Sequence, residues 1–237
     1  MKVLEKAKAM LEKYALCDHC LGRQFALLGH GIENHERGKA IKTLLTMIGH
    51  HLALSKDSRG VFLLRLLATN GSFEAAAEIL RKMKRRVKEG QKCFLCEDHF
   101  KDLPILIDKI MKMLHEYEYD TFLIGIKLPV EAEEREDEFK AEFEAFYSEN
   151  MKNEFSRVIG KALSKTTGKS VDFMAPNIAV IVNPFTEDID LQVNSLYIMG
   201  RYRKLVRGIP QSKWLCAKCR GKGCPKCNWT GKMYPES

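Results

Sequence analysis

No apolar run in this 237-residue sequence approaches the roughly 20 residues needed to cross a bilayer, so no helical membrane span is expected. The opening stretch, MKVLEKAKAMLEK, is too charged to be the core of a signal peptide. The sequence has no internal repeat and no low-complexity linker. None of the eight cysteines stands outside a C-x-x-C pair. Acids are absent from residues 197–234, which carry ten Lys/Arg. The expectation is a soluble, cytoplasmic protein. With 45% apolar residues it can build a real core, as one large domain or two modest ones.

What is present is unevenly spread. The formal charge is +8. Residues 131–144, EAEEREDEFKAEFE, hold eight acids against Arg135 and Lys140. Residues 81–92, RKMKRRVKEGQK, hold seven bases and only Glu89. Clustered positive charge fits a polyanionic partner, most simply nucleic acid; a merely solvated basic surface is the alternative.

The cysteine pairs are Cys17/Cys20, Cys93/Cys96, Cys216/Cys219 and Cys224/Cys227. Without a secretory start, a disulfide framework is the weaker reading. A C-x-x-C turn delivers two thiolates to adjacent corners of a tetrahedron, so four pairs make two four-cysteine zinc sites. Four filled corners leave no position for a reacting water, which makes the sites structural. A redox role for any one pair is the alternative. Only RGKG separates the last two pairs, and Gly221 and Gly223 permit a tight reversal. Cys216 and Cys219 are therefore expected to share an ion with Cys224 and Cys227. By elimination, Cys17 and Cys20 share one with Cys93 and Cys96. Substitution of a ligand by His19, His30, His35, His50, His51 or His99 remains open.

Hydrophobic periodicity predicts helices over 2–16, 33–54 and 72–88, the second with Ala40, Ile41, Leu44, Leu45 and Ile48 facing inward. Ser72 is the expected N-cap of the third and Gly90 its stop. The stretch LSKDSRGVFLLRLLATNGS is ambiguous. Residues 1–100 read as a helical module pinned by one zinc. Beyond Leu103, helical patterns at 104–117, 131–147 and 153–168 interleave with β-prone runs at 120–128, 169–174, 177–183 and 188–200. The fold class is α+β, with helices on one face of a sheet.

The basic end starts at GRYRKLVRGIPQSKW. Guanidinium groups suit phosphate and aromatic rings suit exposed bases. The candidate RNA-contacting residues are Arg201, Tyr202, Arg203, Lys204, Arg207, Lys213, Lys218, Arg220, Lys222 and Lys226. Core packing of Tyr202, with its arginines facing water, is the alternative.

The ordered set CDHCLGRQF, CFLC, NEFSRVIGKAL, IMGRYRKLVRGIPQSKW and CAKCRGKGCPKCNWTGKMYPES resembles the N-terminal portion of the archaeal tRNA pseudouridine synthase that acts on the T arm. The resemblance runs along the whole chain. It implies a THUMP-like α+β RNA-binding domain, placed at about 101–209, between the helical zinc-bound module and a short C-terminal zinc knuckle at 210–237. It also implies zinc on Cys17, Cys20, Cys93 and Cys96, a tRNA partner, and conversion of uridine to pseudouridine. In that family an aspartate nucleophile sits in a catalytic domain downstream of this region. No counterpart of its motif is found here, and Asp172, Asp188 and Asp190 read as strand-edge or turn residues. No catalytic residue is assigned. The chain alone is expected to be inactive, with a catalytic domain supplied in cis or as a separate chain. The competing reading is a stand-alone zinc-stabilised RNA-binding or scaffold module. A zinc cochaperone is disfavoured, because the J-domain His-Pro-Asp triplet and a repeated knuckle array are missing.

Overall fold

The computed structural model describes residues 3–195, 199–201, 203 and 212–233. The chain divides into two compact units, Met1–Ser195 and Leu196–Ser237.

The first unit begins with five helices: α1 (Val3–Lys13), α2 (Asp18–Arg23), α3 (Asn34–Leu54), α4 (Ser58–Thr69) and α5 (Glu74–Lys82). Helix α4 resolves the ambiguous stretch. Asp57 caps it by accepting a hydrogen bond from the Arg59 amide at 2.9 Å, and its Leu-rich face is buried. Helix α5 is shorter than its pattern suggests. It starts after Phe73, and Ser72 instead adopts φ +46° with its hydroxyl donating to the Gln91 carbonyl. It ends at Lys82, so most of the basic tract leaves the helix.

Helix α3 is rotated relative to the expected face. Arg37, Gly38, Ile41, Lys42, Leu45, Thr46 and Gly49 are buried, whereas Ala40, Leu44 and Ile48 are exposed. Two causes are visible. Glycines let helices cross closely: a Cβ on Gly38 would lie 1.9 Å from the Asp18 carbonyl oxygen, and one on Gly22 1.8 Å from that of Asn34. The buried cations also collect orphan carbonyls. The Lys42 ammonium donates to Leu16 O at 2.8 Å and Gly71 O at 2.7 Å, and meets Asp18 at 2.7 Å. Arg37 donates to the carbonyls of Ala26, Leu28 and Ile32. Burying such groups is tolerable only with this many partners.

Helix α6 (His99–Leu114) follows, then β1 (Thr121–Ile126), α7 (Val130–Glu142), α8 (Met151–Thr167), β2 (Ser170–Val171), β3 (Ile178–Asn183) and β4 (Asp188–Val193). The sheet order is β2-β1-β3-β4. Strand β1 is parallel to β2 and β3, and β3 pairs antiparallel with β4 in a hairpin. Phe122, Ile124, Ile178, Val180 and Val182 are buried, and α8 packs on β1 with α6 beside it. Alternation of buried and half-buried residues in β3 is the mark of a sheet covered mainly on one face. Together these elements give the α+β class expected, and one continuous apolar core joins the helical half to the sheet half. Strand β4 stops at Val193, short of the 188–200 run; residues 196–198 of that run lie outside the described residues.

The second unit is small. A bridge between Leu215 and Lys232 closes a loop that contains a 3-10 turn at Pro225–Cys227. Positive φ values at Arg220, Gly221, Gly223, Asn228, Trp229 and Gly231 fold the loop back on itself.

Candidate metal centres and nucleic-acid interface

Cys17 is the N-cap of α2, where its sulfur accepts from the Cys20 amide at 3.4 Å. The 93–96 turn approaches from the other side, and the Asp98 carboxylate pins it by accepting from the Cys93 amide at 3.1 Å. The Cys17 and Cys96 sulfurs lie 3.6 Å apart. All four sulfurs are within 4.8 Å of one another. In the second unit the Cys216–Cys224, Cys219–Cys227 and Cys224–Cys227 sulfurs are 4.0, 3.7 and 3.7 Å apart. None of the eight cysteines forms a disulfide. A tetrahedral ion with bonds of about 2.3 Å to sulfur has sulfur–sulfur edges of about 3.8 Å. Both donor sets therefore fit a zinc-sized ion, and both clusters can hold a metal. Among the described residues neither cluster includes a histidine.

The first cluster sits in a cage of side chains. Burial pushes the Cys20 thiol up; hydrogen bonds from Cys17, Cys20 and Cys96 outweigh burial at Cys93 and pull it well below the usual thiol range. The fully buried Arg23 donates from Nη2 to the Cys20 sulfur at 3.5 Å, from Nε to Glu136 at 3.1 Å and from Nη1 to Glu154 at 2.9 Å. Glu136 accepts the Met151 amide at the start of α8. Glu154 takes His19 Nδ1 at 2.8 Å. Burial opposes the Glu154 carboxylate, but the His19 hydrogen bond and the Arg23 charge hold its pKa below the usual range. The rings of His19, Phe100 and Phe155 stack in series at 4.3 and 4.0 Å. One guanidinium thus ties the cysteine cluster to α7 and α8. Sequence reasoning missed this network, because Glu136 and Glu154 lie more than a hundred residues from Arg23.

On the second unit Lys213, Lys218, Arg220, Lys222 and Lys226 are exposed, and Trp229 is 73% exposed beside them. None of these five cations makes an ion pair among the described residues. Cys227 is pulled down to about 6: burial opposes this, while amide hydrogen bonds from Cys224 and Gly231 drive it. Arg201 and Arg203 are exposed. Tyr202, Lys204 and Arg207 lie outside the described residues.

A groove of about 500 Å³ runs between α8 and the β1–β2 edge. Asn153, Ser156, Arg157, Lys161 and Phe173 line it, and Phe173 is 78% exposed. Its cations are partly neutralised: Arg157 Nη1 donates to both Glu149 carboxylate oxygens, and Lys161 pairs with Glu33. The four-residue spacing of Arg157 and Lys161 was the available sequence signal.

Residues 106–183, from α6 through β3, match the family described as the archaeal Pus10 THUMP domain. These residues are a THUMP domain of the archaeal Pus10 type. The similarity extends beyond the domain. Over 236 residues, 96% of the chain, it is 42% identical to tRNA pseudouridine synthase Pus10 of Methanocaldococcus jannaschii, covering 50% of that protein. The relative of the same name in Methanothrix thermoacetophila is 35% identical over 99% of the chain and 50% of its own length. That in Pyrococcus furiosus is 36% identical over 89% and 45%. The chain thus corresponds to an N-terminal Pus10 portion, and it spans about half the length of the curated relatives it matches. No solved structure matches it significantly. Among the described residues no helix is long and apolar enough to cross a membrane.

Proposed function

We propose that this chain is the tRNA-binding portion of a pseudouridine synthase acting on T-arm uridines, with the isomerising domain outside these 237 residues. The observation that carries the reading is a Pus10-type THUMP domain sharing one core with a four-cysteine cluster, in a chain that also bears a basic cysteine knuckle. Both clusters hold zinc in this reading. The zinc closes each set of four sulfurs, leaves no open coordination site, and acts only on structure. The functional organisation is a helical zinc-pinned module at 1–100, the RNA-binding domain at 101–209 and the basic knuckle at 210–237.

The carboxylates support an inactive isolated chain. Asp172 is half-buried and accepts the Met174 and Ala175 amides at 2.8 and 3.1 Å, a turn-forming role. Asp188 and Asp190 lie on the exposed edge strand β4. None of the three lines the groove beside α8. The test is incubation of the chain with unmodified tRNA, with affinity and pseudouridine content both measured. Tight, salt-sensitive binding without product is expected. Absence of binding would remove the RNA-binding reading, and turnover would remove the claim that chemistry resides elsewhere.

A further inference from the structure

Beyond Lys82 the basic tract does not continue α5 but forms a strap over residues 83–92. The Arg85 amide donates back to Leu80 O at 2.9 Å and the Gln91 amide to Thr69 O at 3.0 Å, so the strap is tied at both ends. Between these ties it crosses the seam of α4 and α5, with Val87 turned partly inward. Beneath it a groove of about 420 Å³ opens, walled by Leu66, Leu80 and Val87 and flanked by Arg65, Arg86 and Lys88. Phe62 stands at its side with 55% of its surface exposed.

The charge here is uncompensated. Arg65, Lys82, Lys84, Arg85, Arg86 and Lys88 are all exposed, and none makes an ion pair among the described residues. Arg81 and Lys92 are the exceptions, paired with Glu74 and Glu97. The cations around the α8 groove are, by contrast, satisfied by Glu33 and Glu149. A cluster of free cations on tethered backbone is a phosphate-binding arrangement: charges at fixed positions lose little entropy when a polyanion docks. An apolar slot with an exposed ring between those charges adds what an unstacked base needs.

We propose that the α4–strap face is a second RNA-contacting surface, in which Arg65, Arg86 and Lys88 hold backbone phosphates and Phe62 stacks an unpaired base of the bound tRNA. This rests on the tRNA-binding reading above and adds a site on the helical module, outside the THUMP domain and the basic knuckle. The occupant is RNA because the surface pairs phosphate-type cations with a base-sized apolar slot. An acidic peptide or an anionic membrane would use the charges without the slot.

Three variants of the 237-residue chain test it: Phe62→Ala, Phe62→Trp, and Arg65→Gln/Arg86→Gln/Lys88→Gln. All four positions are exposed, so unchanged melting and metal content are expected. Affinity for tRNA is measured across a salt series. Phe62→Ala should weaken binding about tenfold, and Phe62→Trp should restore it. The triple variant should flatten the salt dependence by about two units. Crosslinks from thiouridine-bearing tRNA should map to residues 59–69 and 84–91. If wild type binds and the variants bind identically, this surface is wrong while the tRNA-binding reading stands. If wild type fails to bind tRNA, both fall. If the triple variant loses binding to polyglutamate or phosphatidylserine vesicles but keeps its tRNA affinity, the patch recognises another polyanion and the proposal is overturned.

Discussion

The two cysteine clusters use the same donors in opposite settings. The first gathers sulfurs from segments more than seventy residues apart and buries three of them in the main core. The second takes its four from twelve consecutive residues of an exposed knuckle, and only Cys216 is buried. The difference separates two uses of one chemistry. The first is a clamp between elements that are distant in sequence. The second stiffens a short loop so that its cations sit at fixed points.

The strongest way to break this comparison is to remove one sulfur from each. Cys93→Ser should lose one metal equivalent of two and collapse the main thermal transition, since ligation in small structural sites is worth about 10–16 kcal/mol. Cys219→Ser should lose the other equivalent and leave that transition in place. Metal analysis and calorimetry on both variants check it; equal losses of stability would erase the distinction. Next in size is Arg23→Met, which strands two buried carboxylates and should cost about 3–5 kcal/mol in urea unfolding. Metal content should stay at two equivalents, because the sulfurs remain. Gly38→Ala forces apart the α2–α3 crossing that carries Cys17 and Cys20, at about 1–3 kcal/mol in the same assay. Acid sharpens the contrast further. Glu154 has a folded pKa below its unfolded value of about 4.3, so its contribution is full above that pH and is lost as pH falls through the folded value. Stability between pH 5 and 3 should fall more steeply for wild type than for Glu154→Gln. The smallest stability effect is expected at the knuckle: Arg220→Gln/Lys222→Gln/Lys226→Gln should change melting by under about 0.5 kcal/mol. The same variant should flatten the salt slope of tRNA binding by about two units.

Local signals were legible in the sequence, and long-range ones were not. The C-x-x-C pairs reveal themselves because the turn that presents two sulfurs is only four residues long. Helices α1 and α8 and strands β1 and β3 follow from periodicity. The face of α3 was misjudged because hydropathy turns Lys42 and Arg37 outward. Their carbonyl partners lie on other segments, so nothing near them in sequence announces a buried cation. Arg23 was silent for the same reason, since its carboxylates belong to α7 and α8. The end of α5 was misplaced because a basic run suits a solvated helix as well as it suits the strap.

The spacing of the sulfurs also sets an order of assembly. Bringing chain ends together costs more for longer loops. The 72 residues between Cys20 and Cys93, against four between Cys219 and Cys224, make closure of the first site harder by about 2.5 kcal/mol in an unfolded chain. The knuckle can capture its ion while the rest of the polypeptide is still a coil. The buried site must wait until α2 and the 93–96 turn have already been brought together by the collapse of the helices around them. Filling of that site by a metal would therefore be a late step in folding, and the ion would lock a tertiary arrangement that side-chain packing has to find first.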